Sequence, residues 1–336
     1  MPTSSKASTA VEAKTIDTAL ATSLLPVREL NAHKWSVGGV MVVGGSPGFI
    51  GAPAMAAMAA GRSGAGIVAV AAPRGAVPAI ASIVPEASFL TLPEGDVSRQ
   101  TAEKFRDRFD KIKALVVGPG LGDDEYADTV MQILYGTKTS PVYSPFGFAP
   151  RSSAPASEEK AGESAIGRGK PSVIDADGLN WLAKTEDWPK LLEPKTVILT
   201  PHAGEMARLT GLEIGEITAD PVNIAQRFAE QWQQTVVLKG APTVVSNGKV
   251  TRVSASIEPS LATAGSGDVL AGSIAAFLAQ GLEAIDAASL AVYAGGAAAR
   301  ALTERFGTLG VVATDLPPAI AEELARLEQA RGDKRA

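Results

Sequence analysis

Cysteine is absent from the 336 residues of this chain, and histidine occurs only at His33 and His202. Without cysteine, the chain has no disulfide, no thiolate metal site and no thiol nucleophile. Two histidines are too few to build a histidine-rich metal site. The composition therefore leaves the redox compartment open but excludes thiol chemistry and metal centres made from histidine clusters.

Long apolar runs and long runs of one charge are also missing. The apolar stretch at residues 51–72 is interrupted by Arg62, Ser63 and several glycines, so no window reaches the roughly 18 residues of a membrane-spanning helix. The net charge is −5, without a long run of lysine or arginine. Neither nucleic acid nor a membrane is therefore an expected partner. Because residues 1–25 resemble neither a signal peptide nor a transit peptide, the expected location is the cytoplasm.

Short β-branched segments recur immediately before glycine-rich or polar turns. These segments are residues 40–43, 67–71, 114–117, 173–174, 197–199 and 235–238. Segments with helical periodicity lie between them, and this alternation predicts an α/β fold with a parallel sheet covered by helices on both faces. In such sheets, ligands bind at the carboxyl ends of the strands, where these turns fall.

The segment after the last parallel strand has the pattern of a β-hairpin. Asn247-Gly248 separates residues 243–246 from residues 249–253, and this dipeptide favours a type I′ turn with positive φ at both positions. Three helices are predicted to follow, at residues 267–280, 284–304 and 315–330.

Composition and length favour one large α/β domain or two small ones, and residues 26–330 are assigned to a single domain, which the resemblance described below implies to be catalytic. Residues 1–25 and 331–336 are expected to be polar tails. Within the domain, residues 137–170 are rich in serine, proline, glycine and charge, which is typical of an inserted flexible loop. In an alternative interpretation, Tyr143, Phe146 and Phe148 dock as a lid or a subunit contact.

Residues 262–272 place one carboxylate, Asp268, at the start of an apolar helix. Amides of Gly265, Ser266 and Gly267 at a helix N-terminus suit a transferring phosphoryl group, because the first amides lack intrahelical partners and the helix dipole favours negative charge. Asp268 would then be a base beside this anion hole. Alternatively, the glycines only form a tight turn and Asp268 caps the helix.

Polar and glycine-rich turns follow other predicted strands. The turns at residues 44–48 and 118–122 permit close approach of the backbone to a ligand, although tight strand-to-helix connections also explain them. The first turn lacks the terminal Gly-Lys-Ser/Thr of a Walker A motif. Asp175 and Asp177 follow a strand two positions apart, so their side chains would point to the same face and could approach a cation or a hydroxyl group together. Alternatively, Asp177 caps the next helix.

A histidine, a carboxylate and a lysine follow the last two parallel strands. His202 lies beside Glu205 after one strand, which favours a place in the site over a purely structural role. Lys239 ends the next strand, either as a solvated side chain or as an ammonium group that faces phosphate.

Taken in order, these segments resemble the ribokinase-like NAD(P)H-hydrate dehydratases from about residue 25 to about residue 303. The motifs that carry the resemblance are residues 42–48 with 51–53, 62–66, 118–122, 175–180, 200–205, 237–240 and 265–272. The resemblance implies a three-layer α/β/α fold, with a mostly parallel central sheet, helices on both faces and a C-terminal antiparallel hairpin.

The same resemblance implies the reaction and the residues that perform it. In this reaction, ADP would phosphorylate the hydroxyl group of (S)-NAD(P)H hydrate, and loss of phosphate would then regenerate NADH or NADPH. The nucleotide would carry Mg²⁺. ATP is the less expected phosphoryl donor. Asp268 would be the catalytic base and would contact the hydrate. The other implied hydrate contacts are Ala52, Gly120, Gly122 and His202, and the implied nucleotide contacts are Lys239, Gly240, Ala241, Pro242, Thr243, Gly265, Ser266 and Gly267. The resemblance also implies a homotetramer. It includes no separate metal site, and no fused epimerase domain is expected in the short N-terminal segment.

Two departures from the family pattern favour weaker nucleotide binding, and two other functions stay open. Ala264 stands where many members have glycine, and Glu258 brings a negative charge near the expected phosphates. One alternative is a kinase of the same fold that acts on a small alcohol, such as a hydroxymethylpyrimidine or a sugar. The other is a nucleotide-binding protein without turnover.

Overall fold

A single sheet organises the computed structural model, which describes residues 12–93, 105–106, 108–136 and 167–332. Within these residues, ten strands pair in the order β1-β10-β9-β8-β7-β6-β5-β2-β3-β4. The strands are β1 (Ala13–Ile16), β2 (Gly39–Val43), β3 (Ile67–Pro73), β4 (Ser88–Leu92), β5 (Ala114–Val117), β6 (Ser172–Ile174), β7 (Val197–Leu199), β8 (Thr235–Leu238), β9 (Val244–Ser246) and β10 (Thr251–Ser254). The β8–β9 and β9–β10 pairs are antiparallel, and the other pairs are parallel.

Helices cover both faces of the sheet. In chain order they are α1 (Thr18–Leu24), α2 (Lys34–Val37), α3 (Gly51–Arg62), α4 (Val77–Ile83), α5 (Glu125–Tyr135), α6 (Asp177–Lys184), α7 (Ala203–Thr210), α8 (Ile214–Ala219), α9 (Pro221–Trp232), α10 (Ser266–Ala279), α11 (Ala284–Phe306) and α12 (Leu316–Arg331). Among the described residues, none of these helices combines the length and the apolarity required to span a lipid bilayer.

The sheet separates two hydrophobic cores. Val40 and Val42 of β2 contribute to the core that includes α3, α10 and α11, whereas Met41 and Val43 contribute to the core that includes α5 and α9. This division follows from the strand itself, because successive side chains point to opposite faces. The predicted three-layer α/β/α fold with a mostly parallel sheet is therefore confirmed.

Helices α3 and α10 approach each other closely because small residues line their contact. A Cβ atom added to Gly272 would lie 2.1 Å from the carbonyl oxygen of Ala56. Beside this contact, the hydroxyl of Ser63 donates a hydrogen bond of 2.9 Å to Ser273. The packing fixes the position of α10, whose first turn carries Asp268.

The structure corrects the expected boundary of the N-terminal tail. From Ala13 onward, the chain forms β1 and α1 instead of a polar tail, and Ile16 and Ala21 are buried. Strand β1 pairs in parallel with β10 at the edge of the sheet. This edge position explains why three of its four side chains remain partly or fully exposed, a pattern with no apolar signal in the sequence.

The predicted hairpin is present, but its turn differs from the expected one. Ser246 pairs with Thr251, so the loop has four residues, and among its residues Gly248 has a positive φ, of +85°. The carboxamide oxygen of Asn247 accepts hydrogen bonds from the amides of Lys249 and Val250, at 3.0 and 2.8 Å. This local acceptor stabilises a longer turn in place of the two-residue type I′ turn.

Two further predictions fall wholly or partly outside the described residues. Residues 137–166 of the proposed insertion, with Tyr143, Phe146 and Phe148, lie outside them, as do residues 333–336 of the proposed C-terminal tail. The described end of the chain includes Arg331, which completes α12.

The contact between α3 and α10 predicts opposite effects of two glycine substitutions. Gly272→Ala should lower the free energy of unfolding by about 1–3 kcal/mol, because the new methyl group overlaps the backbone of Ala56. Gly61→Ala, at an exposed helical position with open space around it, should raise it by up to about 1 kcal/mol through helix propensity. Urea denaturation of both variants measures these changes. A Gly272→Ala protein as stable as the parent would contradict the described packing.

Candidate active site

The carboxyl ends of the central parallel strands bring together the polar residues that follow them. The turn after β5 packs against the turn after β6 so tightly that a Cβ atom on Gly118 would lie 1.9 Å from the carbonyl oxygen of Asp175. Gly118 also has a φ of +119°, a conformation that glycine adopts without strain. Glycine is therefore required at this position for two reasons, close approach and backbone conformation.

A buried ion pair between Asp175 and Lys239 lies at this edge of the sheet. The Nζ atom of Lys239 donates to Oδ1 of Asp175 at 2.8 Å and lies 3.6 Å from Oε2 of Glu205. Asp175 also accepts a hydrogen bond of 2.7 Å from the hydroxyl of Thr200. Burial disfavours the charged form of Lys239, but the carboxylates of Asp175 and Glu205 outweigh burial and raise its pKa above the ordinary value. Lys239 is therefore a protonated strand end held by carboxylates.

Asp268 occupies the first turn of α10, directly above this ion pair. The helix begins after Gly265, whose φ of +94° turns the chain into the helix, and an added Cβ on Gly267 would lie 3.3 Å from Nζ of Lys239. Burial, followed by the charge of Asp175, raises the pKa of Asp268 to about 7. Lys239 lowers the pKa in part, whereas Asp177 and Glu205 raise it further. The carboxyl group of Asp268 is thus poised to exchange a proton near neutral pH.

The first turn of α10 lines two cavities. One, of about 570 Å³, is lined by Lys239 and Gly267, and we call it the α10–α11 cavity. The other, of about 670 Å³, is lined by Asp268 and by residues of the turn at 120–122, and we call it the α6–α7 cavity. Because Gly267 and Asp268 are consecutive, the first turn of α10 contributes to both cavities.

The α10–α11 cavity gathers most of the predicted nucleotide contacts. Those that line it are Lys239, Gly240, Ala241, Thr243, Ser266 and Gly267. Pro242, in a cis peptide bond with Ala241, and Gly265 belong to the same two loops but are not among the lining residues. The amide of Thr243 donates to the hydroxyl of Ser254 at 3.1 Å, which braces the loop after β8.

The amides at the start of α10 are not all available to a ligand. The N–H group of Ser266 donates to the carbonyl oxygen of Thr263 at 3.3 Å, and its hydroxyl donates to Leu261 at 2.8 Å. Among the described residues, the amides of Gly267 and Asp268 are therefore the ones that the helix opening offers to an anion.

The N-terminal segment contributes one wall of the α10–α11 cavity. Ile16, Asp17 and Thr18 line it, and the hydroxyl of Thr18 forms a hydrogen bond of 2.8 Å with that of Tyr293 on α11. Sequence reasoning missed this wall because it assigned residues 1–25 to a tail.

Three of the predicted hydrate contacts, Ala52, Gly120 and Gly122, line the α6–α7 cavity. Gly120 has a φ of +62°, and an added Cβ would lie 2.6 Å from the carbonyl oxygen of Phe49. The amide of Gly122 donates to Oδ2 of Asp177 at 2.8 Å. Asp177 therefore holds this turn instead of capping α6, where it is the first helical residue after Ala176.

His202 is not among the residues that line either cavity. Its Nδ1 atom accepts hydrogen bonds from the amides of Gly204 and Glu205, at 3.0 and 3.2 Å, and so caps α7. The carboxylate of Glu205 accepts in return from the amide of His202 at 2.8 Å. This capping box places Glu205 beside Lys239, which links His202 to the site through its neighbour.

Phe49, Asn180 and Arg208 also line the α6–α7 cavity, and no role was predicted for them, although Asn180 belongs to the motif at residues 175–180. Asn180 and Arg208 lie on separate helices and meet through a hydrogen bond of 3.0 Å across 28 positions. No spacing within either helix signals such a contact.

The two departures from the family pattern are accommodated locally. Ala264 is not among the described residues with positive φ, so its side chain causes no backbone strain. Oε1 of Glu258 accepts a hydrogen bond of 3.0 Å from Nε of Arg300 and lies 2.9 Å from Nη2 in the same ion pair. Since Arg300 also lines the α10–α11 cavity, its charge balances the negative charge of Glu258 there.

The raised pKa of Asp268 predicts a pH-dependent effect of Asp268→Asn on stability. The pKa of Asp268 is about 7 in the folded state, whereas the ordinary aspartate pKa of 3.8 applies in the unfolded state. The contribution of Asp268 to the free energy of unfolding therefore falls as pH rises from about 4 to about 7. Because asparagine does not titrate, the Asp268→Asn variant lacks this fall. Asp268→Asn should raise the free energy of unfolding by about 1–3 kcal/mol more at pH 8 than at pH 5.

Urea denaturation at the two pH values measures this difference. The control is Asp187→Asn, because Asp187 is exposed, outside both cavities and in a left-handed conformation that asparagine tolerates. Equal effects of Asp268→Asn at both pH values would show that the carboxyl group is not perturbed.

Comparisons with known proteins identify the family. The profile of the NAD(P)H-hydrate dehydratase family matches residues 40–143 and 154–322. The ADP-dependent (S)-NAD(P)H-hydrate dehydratase of Neisseria meningitidis serogroup B is 34% identical over 296 residues, which cover 87% of this chain and 86% of that protein. The bifunctional NAD(P)H-hydrate repair enzyme Nnr of Salinibacter ruber is 39% identical over 300 residues, which cover 87% of this chain and 49% of that enzyme. The chain thus spans about half the length of the bifunctional relatives that it matches.

Solved structures agree with this result. The ADP/ATP-dependent NAD(P)H-hydrate dehydratase of Bacillus subtilis, co-crystallised with ATP and Mg²⁺, has a TM-score of 0.74 at 26% identity and covers 95% of this chain and 100% of that one. A ribokinase-like protein also shares the fold. With matching motifs, profile and architecture, this chain belongs to the NAD(P)H-hydrate dehydratase family.

Proposed function

We propose that this chain is an ADP-dependent (S)-NAD(P)H-hydrate dehydratase that returns hydrated nicotinamide cofactors to NADH or NADPH. The observation that carries the proposal is the position of Asp268 in one cavity directly beside Gly267, which lines the other. A nucleotide in the α10–α11 cavity and a hydrate in the α6–α7 cavity would approach each other at the first turn of α10. Family membership and the named dehydratase relatives support the same reaction.

The chemistry divides into transfer and elimination. Asp268, as the carboxylate, removes the proton from the hydroxyl group of the hydrate while the hydroxyl oxygen attacks the terminal phosphorus of ADP, and AMP leaves. The carbon–oxygen bond of the phosphorylated intermediate then breaks, phosphate departs, and loss of a proton from the neighbouring carbon restores the double bond. Phosphate is a better leaving group than hydroxide, which is the reason for the transfer.

The residues around Asp268 favour this transfer through position and charge. The amides of Gly267 and Asp268 face the developing negative charge at the helix opening. Lys239, held between Asp175 and Glu205, provides a fixed positive charge below the helix. Because the carboxylates already hold Lys239 in place, little reorganisation is needed when phosphate arrives.

The donor groups of the site fit Mg²⁺ carried by the nucleotide. Among the described residues, no group of three or more histidine, cysteine or acidic side chains is placed to hold a metal ion. Mg²⁺ commonly takes most of its ligands from nucleotide phosphates and water, so an ion carried by the nucleotide does not require such a group. When bound, the ion would neutralise charge on the phosphates.

Three finer parts of the proposal rest on the resemblance to the family. These are the preference for ADP over ATP, assembly into a homotetramer, and a cytoplasmic location.

Substitution of the proposed base provides the first test of function. With hydrated NADPH, ADP and Mg²⁺, the parent protein should restore the absorbance of reduced nicotinamide and release AMP and phosphate in equal amounts. Asp268→Asn should fold normally and turn over roughly 10²- to 10⁴-fold more slowly, and Asp187→Asn should match the parent.

Three outcomes would argue against this assignment. Absence of activity with both ADP and ATP would exclude the dehydratase. Accumulation of a phosphorylated product would favour a kinase. Unchanged turnover of Asp268→Asn would assign the base to another residue.

The pH dependence of kcat/KM for the hydrate provides a second test. Because the base must be ionised and burial raises its pKa to about 7, kcat/KM should rise with pH and level off above about pH 7. In Asp177→Asn the midpoint should fall, since the charge of Asp177 raises the pKa of Asp268. Ionisation of the nucleotide itself cannot produce this shift, which makes the variant an internal control. A profile that is flat from pH 5.5 to 8.5 would contradict the role of Asp268.

A further inference from the structure

The α6–α7 cavity contains basic side chains that the proposed chemistry at Asp268 does not use. Lys184 at the end of α6 and Arg208 on α7 line the same cavity as Asp268. A cavity that only accepted the nicotinamide ring would have no need for these cations, because the ring carries no negative charge.

Arg208 is held in place by a chain of hydrogen bonds. Its Nε atom donates to the carboxamide oxygen of Asn180 at 3.0 Å. The carboxamide nitrogen of Asn180 lies 3.4 Å from Oδ1 of Asp177, whose Oδ2 accepts from the amide of Gly122. The guanidinium group is therefore connected through Asn180 and Asp177 to the turn that lines the same cavity.

Among the described residues, no carboxylate forms an ion pair with Arg208, although Asp123, Asp177 and Asp268 line the same cavity. Lys184 lies 3.6 Å from the carboxylate of Asp123, which partly compensates its charge. Asp177 is engaged by Gly122 and Asn180. By contrast, the partner of Arg208 among the described residues is a neutral amide. A guanidinium group fixed through Nε retains its two terminal nitrogens for a further ligand, and their geometry suits the oxygens of a phosphate.

We propose that Arg208 binds a phosphate group of the pyridine dinucleotide substrate in the α6–α7 cavity. Asn180 is then a positioning residue, which orients the guanidinium group of Arg208. The identity of this substrate rests on the proposed function. Two phosphate groups of the dinucleotide have the required chemistry, the pyrophosphate shared by NADH and NADPH and the 2′-phosphate found only in NADPH. Arg208 is thus assigned to substrate binding and not to the transfer step.

Direct binding of the reaction product tests this assignment independently of turnover. NADPH, NADH and reduced nicotinamide mononucleotide are titrated against the full chain, with nicotinamide fluorescence as the readout. In Arg208→Gln, the Kd for NADPH should rise about tenfold to a hundredfold, the range expected for a charge-assisted hydrogen bond. Arg208→Lys, which keeps the charge but loses the bond from Nε, should show a smaller rise. The control is Arg305→Gln, because Arg305 packs over Phe306 and is outside both cavities.

The three ligands distinguish the two phosphates. Weaker binding of NADPH alone assigns Arg208 to the 2′-phosphate, whereas equal weakening for NADPH and NADH assigns it to the pyrophosphate. Equal weakening for all three assigns it to the phosphate nearest the nicotinamide ribose. Unchanged binding of all three to Arg208→Gln would overturn the proposal, as would a parent protein that does not bind NADPH.

Kinetics separate this role from a structural one. In Arg208→Gln, KM for the hydrate should rise while kcat and KM for ADP stay at parent values, whereas a distorted site would change all three. If the parent binds NADPH through Arg208 but shows no turnover, the proposed function fails and the phosphate assignment stands. If turnover is present and KM for the hydrate does not change, the assignment is wrong and the function stands.

Discussion

The ion pair between Asp175 and Lys239 is the interaction on which the rest of the site depends. It joins the residues that follow β6 and β8, across the end of β7, and its 2.8 Å contact lies beneath the first turn of α10. Asp175 is almost completely buried, so removal of either partner would leave an uncompensated charge at considerable cost in stability. The pair therefore fixes the distance between the ends of β6 and β8. It also fixes the floor on which the first turn of α10 and its amides lie.

This arrangement also gives the proposed base, Asp268, a pKa suited to neutral pH, although neither histidine lines either cavity. An ordinary aspartate is a weak base at pH 7, whereas burial and nearby carboxylates make Asp268 more basic. Lys239 opposes this effect and keeps the perturbation moderate. The site thus balances three carboxylates against one ammonium group, and the balance sets the proton affinity of Asp268.

Local patterns in the sequence were sufficient to predict the strands and helices in which most residues are buried. The apolar runs at residues 40–43 and 114–117 are central strands, and residues 267–280 correspond closely to α10. The N-terminal edge strand was missed because Ile16 alone among its residues is buried. The resemblance to the family predicted that Lys239, Gly267 and Asp268 belong to one site. It could not show that Asp175 holds Lys239 across 64 positions or that Asn180 holds Arg208, because such contacts depend on how separate elements pack.

Ile16, Asp17 and Thr18 form one wall of the α10–α11 cavity. Attachment of the N-terminal segment is therefore coupled to the binding of any ligand that touches this wall. Strand β1 pairs along one edge, with β10, and the hydroxyl contact between Thr18 and Tyr293 and the burial of Ile16 and Ala21 add further attachments. An edge strand of four residues is a segment that detaches by local unfolding more readily than the central strands. Any ligand that contacts this wall must favour the attached state by mass action. Nucleotide in the cavity would therefore protect the N-terminal segment from proteases, and loosening of that segment would in turn speed nucleotide release.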